Sequence, residues 1–219
     1  MPKADGPGVG FNIAAITMVA LLAGLALAYA IDAASRNARL PAEAPHGEAT
    51  LTRTIGGKDL EIPLSWFRYP EQQVEGFAKQ IDLKLVLPLG EGGKPREIDV
   101  TLLPRSSVRP SARLLDGVYL HMFAEGQLSG PPGLVGKPLK GDHGYESETV
   151  WYDPLSPDPF VAKCRAPVAT GAESRCLRAV HVAPGIAAVY SFDSGILGQW
   201  KVFDGQVRPL LDLMGAFRP

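Results

Sequence analysis

The sequence predicts an α+β protein: a mainly antiparallel β extracytoplasmic domain with a C-terminal amphipathic helix, preceded by one N-terminal transmembrane helix. Three observations carry this. Phe11 to Ile31 is an uncharged apolar run, short apolar alternations fill the middle of the chain, and the last segment changes to a helical period. The 24 Gly and 20 Pro are spread along the chain and punctuate short elements, as in a β-rich domain with many turns.

After a short tail, 1–10, comes the span. An apolar helix needs about 20 residues to cross a hydrocarbon core about 30 Å thick, and 11–31 meets that length. Ala28-Tyr29-Ala30 also fits the small-x-small pattern of a signal-peptidase site. The apolar core exceeds the usual signal core, however, and only Lys3 and the amino terminus precede it as positive charges, so an uncleaved anchor is expected. Arg36 and Arg39 just beyond the span would, by the positive-inside rule, keep the C-terminal part of the chain in the cytosol. Cys164 and Cys176, the only cysteines, argue for export: an isolated pair around a polar loop suits a disulfide in an oxidising compartment. The expected location is a bacterial inner membrane, single pass, with the C-terminal domain periplasmic. Ala20, Gly24 and Ala28 recur every four residues and line one helix face, where another helix can approach closely.

Residues 32–48, rich in Ala with Pro41, Pro45 and Gly47, read as a tether. The remainder, 49–219, is long enough to form a single domain with its own core. A net charge of -1 and 21% charged residues show no electrostatic lean towards nucleic acid or acidic substrates.

Ala49 to Ile55 and Leu60 to Leu64 flank Gly56-Gly57-Lys58-Asp59 and predict a hairpin, glycine supplying the positive φ of the turn. Trp66, Phe67, Tyr69 and Pro70 then cluster. The aromatic run either caps the core or sits at a membrane interface. Gln80 to Leu87 alternates, with Ile81, Leu83, Leu85 and Leu87 opposite Asp82, Lys84 and Val86, and Glu97 to Leu103 alternates again. The glycine-rich loop between them predicts an antiparallel pair.

Arg105, Arg109 and Arg113 come next among Ser and Pro and read as a solvated loop. Leu114 to Phe123 alternates and predicts a strand containing His121, with a long loop after it from Ala124 to Glu146. Thr149 to Tyr152 and Phe160 to Cys164 are short strand candidates. Arg175 to Val182 and Ile186 to Phe192 form a hairpin around Ala183-Pro184-Gly185. Finally Ile196, Trp200, Phe203, Val207, Leu210 and Met214 form an apolar helical stripe over about 194–215, with Asp193 or Ser194 as a cap and Gly198, Gly205 and Pro209 as interruptions.

No phosphate-binding glycine loop, GxSxG elbow, HExxH helix or CxxC pair is present. The best candidate constellation is Asp142, His143, Glu146 and Glu148, an acidic loop with one imidazole that suits a docking surface for a basic partner, or a cation site or general base. His46, His121 and His181 are dispersed, and no haem or copper set is read from them. No cofactor is expected. The candidate interaction residues are therefore Trp66, Phe67, Tyr69, Asp142, His143, Glu146 and Glu148, with Ala20, Gly24 and Ala28 as a helix-packing face.

The functional expectation is a binding or accessory subunit of a membrane or cell-envelope assembly, partnered by the bilayer and other envelope proteins and not by nucleic acid. Two alternatives stand beside it. One is an exported lipid or small-molecule binding domain; the other is an anchored metal-assisted hydrolase using Asp142, His143 and Glu146.

Overall fold

The structure, a computed structural model, describes residues 17–30, 48–141, 147–167 and 174–218. The chain divides into two compact units, Met1–Pro41 and Ala42–Pro219. In the first, 17–30 forms a helix, α1, with every side chain exposed. At about 1.5 Å per residue these residues extend about 20 Å, short of a hydrocarbon core. Among the described residues no helix is long and apolar enough to cross a membrane. The predicted tether lies outside the described residues apart from Glu48, whose carboxylate accepts a hydrogen bond from the Ser65 backbone N–H at 2.8 Å.

The second unit is mainly antiparallel β. A hairpin of β1 (Thr50–Ile55) and β2 (Lys58–Pro63) turns through Gly56 and Gly57, both at positive φ, the geometry a two-residue hairpin loop demands. The short β3 (Gly76–Phe77) adds to β1 in parallel. The remaining strands are β4 (Ile81–Leu87), β5 (Arg96–Pro104), β6 (Val135–Pro138), β7 (Glu148–Tyr152), β8 (Val161–Arg165), β9 (Arg175–Ala183) and β10 (Ile186–Asp193). They form one antiparallel sheet in the order β4-β5-β10-β9-β8-β7-β6. After β5 the chain crosses to the far edge and returns strand by strand, so that the last strand closes against β5.

The alternating residues of β4 and β5 reach one core. Ile81, Leu83, Leu85, Leu87, Ile98, Val100 and Leu102 are all buried against Ile55, Leu60 and Ile62 of the hairpin and against α4 (Trp200–Leu213). Phe203 of α4 meets Tyr190 and Phe192 of β10 and Phe160 at centroid distances of 5.4, 4.9 and 6.1 Å. Trp66 and Phe67 belong to this core; Tyr69 stays on the surface, 39% exposed. Arg178 of β9 is buried beneath α4, and its guanidinium donates to both carboxylate oxygens of Asp204, at 3.2 and 2.6 Å. Burial, reinforced by Asp204, raises the ionisation point of the nearby Tyr190 phenol, so it is neutral throughout the physiological range.

The structure corrects three expectations. Leu114 to Phe123 is helical: α2 (Ser111–Leu114) runs through a π turn, Leu115–Tyr119, into α3 (Leu120–Met122). Its alternation masks a helical set, Leu115, Val118, Tyr119 and Met122, spaced i, i+3, i+4, i+7. That set packs with Leu139, Val150 and Val161 on the second face of the sheet, and Pro110 stands where a helix can begin. His121 is accordingly a surface residue of a helix rather than of a strand. The long loop also contains a strand, β6. Pro138 can sit there because β6 is at the sheet margin, and Gly136 is required because a Cβ would come within 2.5 Å of the Trp151 ring.

The third correction concerns the final helix. Ser194–Gln199 is a 3-10 segment, α4 starts only at Trp200, and neither Asp193 nor Ser194 makes a side-chain cap bond. Asp193 is instead engaged with Arg175 and Arg96.

Candidate functional site

The alternation that buries one face of β4, β5, β10 and β9 sends their polar residues to the other. Helices α2 and α3 cover that second face towards β7, β8 and the Ala179 end of β9. The rest stays open: Leu177, near its middle, is 44% exposed. A concavity of about 440 Å³ lies here, lined by Arg68, Lys84, Pro95, Arg96, Glu97, Asp99, Arg175 and Asp193.

Arg175 organises it. Its Nε donates to Ser191 Oγ at 3.0 Å, one terminal nitrogen donates to Asp193 at 3.0 Å, and the other donates to Asp99. The planar guanidinium is thereby fixed along three edges. Asp99 also receives Arg68 at 3.2 Å, and Arg68 lies over the Tyr69 ring at 5.2 Å. Lys84 faces Glu97 at 3.2 Å, and Arg96 approaches Asp193 at 3.7 Å. The exposed pairs, Lys84–Glu97 and Arg96–Asp193, contribute only about 0–1 kcal/mol each; what the network supplies is a preset arrangement of charge.

Next to it, Arg165 of β8 stands directly opposite Arg175 of β9. Like charges directly opposite are unfavourable. Arg165 is exposed and makes no ion pair among the described residues, because Glu148, its register partner on β7, receives Lys163 Nζ at 2.7 Å. The face therefore has a surplus of cationic side chains among the described residues, in a chain whose net charge is -1.

Asp82, at the rim of this face, is buried and accepts from Thr101 Oγ1 at 2.7 Å, Gln72 Nε2 at 2.8 Å and Gln80 Nε2 at 2.8 Å. Burial pushes its carboxyl up, but these hydrogen bonds and the Arg68 charge outweigh it, leaving the carboxyl below its ordinary value. The native state then binds its proton less readily than the unfolded chain. The resulting stabilisation is fully present above the unfolded value, near 3.8, and is lost as pH falls from there through the lower native value. Urea midpoints measured from pH 7 to pH 2.5 are expected to fall more steeply for the native sequence than for Asp82→Asn.

The sequence-predicted candidates are not gathered into one site. Asp142, His143 and Glu146 lie outside the described residues. Glu148 is engaged with Lys163, Trp66 and Phe67 are in the core, and Tyr69 borders the open face. Arg105, Arg109 and Arg113 are exposed on three successive local segments. His181 approaches the Val108 carbonyl at 2.9 Å. Among the described residues no group of three or more His, Cys, Asp or Glu is placed to hold a metal ion. Ala20, Gly24 and Ala28 do share one side of α1. Cys164 and Cys176, register partners in β8 and β9, are joined by a disulfide.

The residues missed at the sequence level are Arg68, Arg96, Asp99, Arg175 and Asp193. Their signal is the polar half of each alternation, but assembling them requires the strand order.

Fold and site together define an α+β domain built on a seven-stranded antiparallel sheet, one face sealed by a hairpin and a helix, the other partly open and charged. No protein-family model matches the chain, and no curated protein matches it. Among solved structures, it is similar to an immunity protein of the Stenotrophomonas maltophilia type IV secretion system. The two share 14% sequence identity with a TM-score of 0.51, over 76% of this chain and 93% of that chain. At this identity the likeness is one of fold.

Proposed function

We propose that this protein is a membrane-anchored, exported accessory protein whose β-rich domain binds another envelope protein through the open charged face of its sheet. The observation that carries the reading is the charge network fixed around Arg175, with Arg165 beside it lacking an anion among the described residues. Groups held in place before binding lose little entropy on association, and a cationic surplus favours a partner presenting carboxylates. The disulfide supports an oxidising compartment, and 11–31 supports the anchor. The fold likeness to an immunity protein of a secretion system fits a domain that acts by binding another protein.

The native mass of the tagged full-length chain, extracted in mild detergent, is the test, with identification of whatever accompanies it. A reproducible heteromeric assembly is expected. A lone chain or a simple homodimer would contradict the proposal.

A further inference from the structure

Phe77 is 89% exposed and Val74 60% exposed, yet the segment that bears them is held firmly. Phe77 and Gly76 pair with Thr54 and Arg53 of β1. The Ala78 N–H donates to the Thr54 carbonyl at 2.8 Å, and the Arg53 guanidinium donates to the Val74 carbonyl. Gly76 takes a φ of 96° to complete the bend. The backbone is thus held to the domain while the two apolar side chains are presented to the outside, beside the exposed Glu75 and Lys79.

We propose that Val74 and Phe77 form a contact that inserts into the membrane interface and fixes the domain against the bilayer. The inference rests on the anchored reading of 11–31. Residues 32–48 can span no more than roughly 60 Å even when fully extended, so an anchored domain stays within reach of the lipid surface. Two side chains are far too little for a protein–protein interface, which needs about 800 Å² from each partner. They suffice as a supplementary interfacial contact for a chain that a helix already holds, aromatic rings being favoured at that depth. Glu75 lies between the two and Lys79 just beyond them, and their charges offset one another, so the contact depends on apolar burial rather than on anionic lipid. Leu155 is 90% exposed too, but it lies between Asp153 and Asp158 with no Lys or Arg from there to Ala162, a setting that the lipid surface disfavours.

The test uses the full-length chain in vesicles of phosphatidylethanolamine and phosphatidylglycerol. Because Cys164 and Cys176 are bonded to each other, Phe77→Cys, Val74→Cys and Leu155→Cys each introduce a unique thiol for an environment-sensitive fluorophore. Emission from 77 and 74 is expected to shift to the blue and to be quenched by brominated lipid, while 155 keeps its aqueous spectrum. Chains that float with the vesicles but show aqueous spectra at 77 and 74 would overturn the contact while leaving the anchor intact. A blue shift that needs an added protein rather than lipid would also overturn it, in favour of a protein partner. Chains that fail to float would remove the anchored reading and this proposal with it.

Discussion

Replacing Gly185 by Ala is expected to be among the most destabilising single changes in the domain. The turn after β9 and the turn after β1 touch through their glycines: a Cβ on Gly185 would lie 2.1 Å from the Gly56 carbonyl oxygen, and one on Gly56 would lie 2.0 Å from the Gly185 carbonyl oxygen. Both glycines have positive φ, +83° and +58°, which already disfavours an L side chain. The struck atoms are backbone and cannot rotate aside. The Gly185 carbonyl is in addition held by the Arg105 N–H at 2.9 Å. Strain and overlap together should cost roughly 3–5 kcal/mol, lowering the thermal midpoint by about 10 °C or more. Gly57→Ala is the control. Gly57 also has positive φ, but nothing lies within 4 Å of its Cβ position, so only the conformational cost of about 1–2 kcal/mol applies. Equal shifts for the two variants in thermal unfolding would show that the turns do not abut.

The second large effect should come from removing the disulfide. β8 and β9 pair over three positions only, Lys163↔Leu177 to Arg165↔Arg175. Beyond them β9 turns to other partners, its Ala179 N–H donating to Ser111 Oγ at 2.9 Å. This short ladder is the seam between the β4-β5-β10-β9 and β8-β7-β6 parts of the sheet, and the buried Cys164–Cys176 bond lies at its centre. Loss of a native disulfide costs about 2–5 kcal/mol. Cys164→Ala/Cys176→Ala should therefore lower the urea midpoint by that equivalent, and amide exchange should accelerate first in β6, β7 and β8. A shift below about 0.5 kcal/mol, or exchange that rises uniformly, would show that the seam is held by packing instead.

These two sites illustrate what a single sequence discloses. The strands β4 and β5 are legible because every second residue faces one core, and both hairpins because Gly-Gly and Pro-Gly admit few backbone shapes. The disulfide is legible because two cysteines allow only one pairing. The helical run 111–122 is not, since Leu114 to Met122 satisfies the two-residue and the helical period at once; only the burial of Leu115 and Tyr119 against Val150 and Val161 decides it. β6 is hidden because Val-Gly-Lys-Pro has no apolar repeat and depends on Trp151 for its shape. The charged face is partly legible. Lys84 and Asp99 are visibly the polar members of their strands, but Arg175 and Asp193 join them only because β10 crosses back to pair with β5, a long-range closure that no local pattern reports.

The central claim, recognition of an envelope protein by the open sheet face, is tested most directly by reversing its cationic surplus while keeping the contacts of Arg175, at the loss of the Lys84–Glu97 pair. Lys84→Glu/Arg165→Glu alters two side chains at the edges of the face and leaves Arg175, Asp99 and Asp193 in place. The full-length variant and the native chain would be extracted in the same detergent and compared for retained partner. The account predicts that the variant keeps its disulfide and its thermal midpoint to within about 3 °C, the scale of a surface substitution, while the accompanying protein is lost. Equal retention of the partner by a folded variant would contradict it.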